Sequence, residues 1–359
     1  MKKKKKIIGI ILFLLLNAAV IAATAFSEFG NSKNATRLSE VQMNWWLIIP
    51  AILCFIVAIT FEIFKYVLMI RKLSADKKSP EDKQLAEKRD VWKIARRTVL
   101  LGKYYDNITP AAIGGQPFQI FYMRRNSGLN TGNSTSVPIF GMISNQIAFL
   151  IIAILCFIFG GVAYTRPTLM AAAWFGLLFY AFWPVMVAGV SFFPKATTKF
   201  LKFLIKVLAK VKIVKDRNAA LLKIEHEVEE YAKSTKTILK TRGLFFKTIS
   251  MSLLFNGLVA VIPFFVLTAF GGNVDFFECF TLTIAVMSAV YFIPTPGNAG
   301  AAEGTFFLVF SALSSGYVFW AMLVWRFFSY YIYIIMGLII YFVMQLEKSK
   351  KTQMLKNRV

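Results

Sequence analysis

The chain has 359 residues, of which 57% are hydrophobic and 36 are Phe, more apolar surface than one soluble core can hide. Its net charge of +24 does not mark a nucleic-acid binder, because Lys and Arg fall in blocks between apolar runs and not along a foldable soluble domain. Cys54, Cys156 and Cys279 stand alone within apolar stretches, a spacing that fits neither a disulfide framework nor a metal site.

In chain order, "MKKKKK" precedes an apolar run at 7–26, about 20 residues against the ~7–15 of a signal-peptide core, which predicts a retained first helix. A second span is predicted at 46–70. Glu62 and Lys65 within it stand one turn apart and are read as neutralising each other near the cytoplasmic end. "SPEDKQLAEKRDVWKIARR" predicts a basic cytoplasmic helix, with Ser79 as cap, Pro80 in the first turn, and Glu81 and Asp82 complementing the dipole. Segment 98–123 is apolar but broken by "NITPAAIGGQP". Spans at 136–163 and 168–192 form a hairpin around Arg166, with Asn145 and Gln146 as interhelical hydrogen-bonding groups.

Residues 193–246 are amphipathic and rich in Lys. Leu201, Leu204, Ile205 and Leu208 form a helical stripe, placing the segment on the cytoplasmic face, where anionic headgroups attract each Lys by about 1 kcal/mol. His226, the sole histidine, lies here and is read as solvated. A span at 247–270 carries Asn256. A second broken segment, 276–315, contains "IPTPGNAGAAEG", and the last span, 317–344, contains Arg326. One transmembrane domain thus covers 1–345, with a basic cytoplasmic tail at 346–359.

Charge parity constrains the topology. All the basic blocks share the cytoplasmic side only if each broken segment returns to the side it entered from. The expected fold is an all-α polytopic integral membrane protein with about six full transmembrane helices and two oppositely oriented re-entrant hairpins. "TPAAIGGQP" and "TPGNAGAAE" share T-P-x-x-x-G, namely Thr109, Pro110, Gly114 and Thr295, Pro296, Gly300, which suggests an inverted repeat.

Non-helical backbone at membrane depth is tolerated where protein covers it or water reaches it. Pro ends a helix and Gly allows a tight turn, so half-helices meeting at these loops would present free amides able to attract an anion. Charges inside the membrane are expensive and mark candidate sites. Glu303 and Arg326 could pair, and Arg326 suits a lipid phosphate by its bidentate geometry. Arg96, Arg97, Lys103, Tyr104, Tyr105, Asp106, Arg124 and Arg125 flank the first loop on its cytoplasmic side, with Arg97 and Arg124 the candidates for a headgroup. The sequence shows no Ser/His/Asp or Cys/His set, Walker loop or metal-ligand cluster, so neither a cofactor nor a metal is expected.

"RRTVLLGKYYDNITPAAIGGQPFQIFYMRR" at 96–125 and "YFIPTPGNAGAAEGTF" at 291–306 resemble the transmembrane region of lysylphosphatidylglycerol synthases, the flippase half of multiple peptide resistance factor, and its stand-alone relatives. The resemblance runs over nearly the whole chain. It implies lipid translocation in a bacterial cell membrane, with both termini cytoplasmic, and points to Asn107, Pro110, Gly114, Gly115, Pro117, Pro294, Pro296, Gly297, Gly300 and Glu303. Gln116 departs from an acid that many relatives carry. Lysyl transfer is not implied, since about a dozen residues follow the last span.

The leading expectation is a flippase without catalytic activity, for an anionic or aminoacylated phospholipid, a glycolipid or a polyprenyl-linked lipid. Its partners would be lipid headgroups, with a separate synthase subunit or a second copy of the chain also possible, and no nucleic acid. The alternatives are a non-transporting accessory subunit for a lipid-modifying synthase or glycosyltransferase, and an intramembrane enzyme acting on lipid phosphates.

Overall fold

The computed structural model describes residues 43–75, 90–109, 114–161, 165–210, 228–229, 232–233, 235–236, 241–311 and 317–356, and these are helical with no strands. The expectations for the 7–26 span, the Ser79 cap, Pro110, His226 and the side chains of the leucine stripe lie outside the described residues.

Four helices are long and apolar enough to cross a membrane, over Trp45–Ser74, Thr131–Phe159, Arg242–Ala269 and Val318–Glu347. They fall on four of the predicted spans. The predicted 168–192 span is helical throughout, within Pro167–Phe192. Leu53, Ile56, Ile158, Phe175, Leu178 and Phe342 stand exposed on these helices, as expected of side chains that face lipid.

The helices are α1 (Ile48–Ala75), α2 (Val91–Ile108), α3 (Gly115–Asn126), α4 (Thr131–Phe159), α5 (Pro167–Phe192), α6 (Pro194–Lys210), α7 (Arg242–Ala269), α8 (Phe276–Val290) and α9 (Ala301–Phe310). The last span is α10 (Val318–Arg326), a π turn at Phe327–Tyr331, and α11 (Ile332–Lys356). α11 continues well beyond residue 345, because "QLEKSKKTQMLK" consists largely of good helix formers.

α1 lies along α7, α5 against α8, and α2 between α3 and α11. The α5–α8 approach is close because Gly176 carries no side chain: an added Cβ there would run into the Ser288 carbonyl. The "VWKIARR" expected in a separate cytoplasmic helix is instead the first part of α2, which starts at an Asp90 cap and runs unbroken into the first loop. No residue there interrupts the helical pattern before Pro110.

Candidate functional site

Both loops begin with the same local event. Thr109 and Thr295 each precede a proline, which disfavours helical ψ at the residue before it, and both are extended, at φ/ψ −113°/143° and −92°/153°. α2 therefore stops at Ile108.

The threonine hydroxyls then close both turns on equivalent peptide groups. Thr109 Oγ1 donates to the Tyr105 carbonyl (2.7 Å) and accepts from the Gly114 N–H (2.9 Å). Thr295 Oγ1 donates to the Ala299 carbonyl (2.8 Å), in the peptide unit that precedes Gly300 just as the other precedes Gly114. In the second loop Gly297, Asn298 and Gly300 all take positive φ, at 59°, 54° and 90°.

At each loop one of the amides expected to stand free for an anion is taken. Gly115 N–H donates to Asp106 Oδ1 (3.0 Å), and Gly300 N–H donates to Glu303 Oε2 (2.8 Å). Each loop thus places a carboxylate at the start of its second helix, where the dipole favours negative charge. Asp106, placed by sequence among interface residues, is therefore part of the loop itself.

The loops touch. Gly297 lies between Asn107 and Tyr330: an added Cβ would run into the Tyr330 ring and lie 3.1 Å from Asn107 Oδ1. Glu303 and Arg326 form the expected pair, Nε to Oε1 at 2.6 Å, with both side chains buried. Arg326 Nη2 also donates to the Gly297 carbonyl (3.2 Å), and the guanidinium lies 4.6 Å from the Tyr330 ring centroid. Arg326, expected at a lipid phosphate, is thus the post that fixes the second loop. The π turn that follows it carries Tyr330 into place, a local helix widening of a kind that often accompanies functional sites.

A second buried centre lies beside the loops. Lys65 is 0% exposed, with Nζ 2.8 Å from Glu62 Oε2. Its three donors go to the Gly141 carbonyl (3.1 Å), Asn145 Oδ1 (2.9 Å) and Ser252 Oγ (3.0 Å). That saturates the ammonium, so the Glu62 Oε2 contact is an ion pair without a well-formed hydrogen bond. Asn145 Nδ2 donates to Glu62 Oε1 (2.9 Å), and Asn256 Nδ2 reaches the Asn145 carbonyl (3.3 Å). The pair sits near the middle of α1 and not at its cytoplasmic end, because its hydrogen-bond partners lie mid-helix on α4 and α7. Gln146, grouped with Asn145 from sequence, keeps its Oε1 buried without a hydrogen-bond partner among the described residues.

The other predicted residues are spread out. Arg97 Nη2 binds Glu347 Oε1 (2.7 Å), as does Lys93 Nζ (2.9 Å), which ties α2 to α11 at the bundle's edge. Arg124 is exposed and donates to Thr135 Oγ1 (3.1 Å). Gln116 is half-buried and Pro117 exposed. Among the described residues no three His, Cys, Asp or Glu side chains gather as metal ligands.

Long apolar spans, broken helices whose loops meet in the interior and buried paired charges define a multi-pass helical membrane protein built around a polar centre. The chain belongs to the family described as lysylphosphatidylglycerol synthase TM region, matched over residues 6–337. No curated protein and no solved structure matches it.

Proposed function

We propose that this protein moves a lipid between the leaflets of a bacterial cell membrane without altering it chemically. The cargo carries an anionic or aminoacylated phosphate headgroup, or is a glycolipid or polyprenyl-linked lipid. The observation that carries the reading is the meeting of the two Pro/Gly-broken loops at Asn107 and Gly297. Hairpins entering from opposite faces would touch in this way, and alternating access then needs only one half to rock against the other. Family membership supports a lipid-related role. The headgroup passes the polar centre at the loops while the acyl chains stay in lipid.

The test is reconstitution into liposomes with a fluorescent phosphatidylglycerol, a lysyl-phosphatidylglycerol and a glycolipid, followed by quenching from outside. Loss of the protected inner-leaflet signal beyond that of empty vesicles is the expected result. Folded protein that moves none of the three refutes the proposal.

A further inference from the structure

Beside the loops, the buried or partly buried cations differ in what they hold. Arg326 binds Glu303 and the Gly297 carbonyl, Lys65 has all three donors filled, and Arg97 is paired with Glu347. Lys103 is the exception. Its Nζ lies 4.8 Å from the Phe255 ring centroid and 6.0 Å from that of Tyr333, with no carboxylate or hydrogen-bond acceptor in bonding reach among the described residues.

A ring face attracts the charge but leaves the three N–H donors without conventional acceptors. Phe255 and Tyr333 are both buried and Lys103 itself is half-buried, so the ammonium lies against interior rings while part of the side chain stays accessible. Lys103 stands one turn before Asn107, at the point where the loops meet. The charged groups that interact with the Lys103 ammonium are Asp106 and Lys65. Asp106 is engaged with the Gly115 amide, and Glu62 with Lys65 and Asn145.

We propose that Lys103 is the headgroup ligand: its ammonium turns from the ring faces of Phe255 and Tyr333 to a phosphate oxygen of the lipid. This rests on the translocation reading, and it replaces the residues that sequence favoured, Arg97, Arg124 and Arg326, with one whose donors are unspent. A strongly hydrated point charge on a flexible stem suits a ligand that must be both captured and released.

The test uses the full chain in uncharged detergent. Short-chain phosphatidylglycerol, short-chain diacylglycerol and inorganic phosphate are titrated separately, with binding read by tryptophan fluorescence and lysine acylation mapped by mass spectrometry. Phosphatidylglycerol is expected to shield Lys103 from acylation in the wild type, and diacylglycerol is not. Lys103→Gln should weaken phosphatidylglycerol binding about tenfold, while Lys103→Arg stays within about threefold of wild type. Shielding by inorganic phosphate alone would assign the site to free phosphate and overturn the lipid assignment. Unchanged affinity in Lys103→Gln, or an equal loss for diacylglycerol, also overturns it. The footprint needs no variant, so a misfolded substitution does not shelter the proposal. Failure of translocation in liposomes would sink the proposed function and leave this binding result to stand or fall separately.

Discussion

The Glu303–Arg326 pair offers a sharp test of how the second loop is held. Arg326→Met leaves a buried carboxylate that keeps only the Gly300 amide, and losing one partner of a buried pair costs about 3–5 kcal/mol. Glu303→Met strands the guanidinium on the Gly297 carbonyl and removes the amide's acceptor, so it should cost about 1 kcal/mol more. In the double variant no charge is left buried and unpaired. Two methionines also fill similar volume, so its cost should fall to about 1–3 kcal/mol, from the lost backbone contacts. The coupling energy should therefore exceed about 3 kcal/mol. Equilibrium unfolding in mixed micelles, run on all four proteins, measures it. Additivity of the single variants within about 0.5 kcal/mol would refute the pair as the element that holds the loop.

The same assay applies to the second centre: Lys65→Met should cost about 3–5 kcal/mol, with much of that recovered by adding Glu62→Gln, which removes the stranded charge. Gly297→Ala should destabilise by at least about 1–3 kcal/mol, since a positive φ is combined with a clash against Tyr330, and adding Tyr330→Leu should return only the clash. Thr109→Val removes the acceptor of the Gly114 N–H, for about 1 kcal/mol and faster amide exchange at that residue by hydrogen–deuterium exchange. Arg97→Gln breaks a pair whose carboxylate is 45% exposed, so it should cost under about 1 kcal/mol, and the difference should vanish in high salt.

The features legible in the sequence are those that act locally. A run of apolar residues long enough to span, a Pro that ends a helix and a Gly with positive φ leave marks within a few positions, so the main spans and both loops could be located. Glu303 and Arg326 could be matched because both are charges inside apolar stretches close in the chain. The centre around Lys65 was only half legible. Glu62 and Lys65 are neighbours on one helix, but the groups that saturate Lys65 are on Gly141, Asn145 and Ser252, 76, 80 and 187 residues away. No periodicity encodes which helices will adjoin α1. Asp106 was misplaced for a related reason: its role depends on α3 folding back so that the Gly115 amide meets its carboxylate. Arg97 looked like a headgroup ligand because its partner, Glu347, lies 250 residues further on.

The two carboxylates change how an anion could be held here. An uncovered amide at a helix start attracts anions, but in a poorly hydrated interior it also costs about 1–3 kcal/mol when nothing is bound. Asp106 and Glu303 remove that cost at the Gly115 and Gly300 amides, and a lipid phosphate would have to displace an acceptor fixed on the same chain in order to use those two. A passing cargo gains little from such an exchange. A cation resting on aromatic faces has no charged competitor to expel, and rings that stabilise it modestly between visits let it return after release. These contacts favour loops that keep their shape, also through the transport cycle proposed above. On the proposed reading headgroup capture falls to a side chain that can move, which is why Lys103, one turn before the point where the loops touch, is the position where loss of charge should weaken lipid binding while the fold persists.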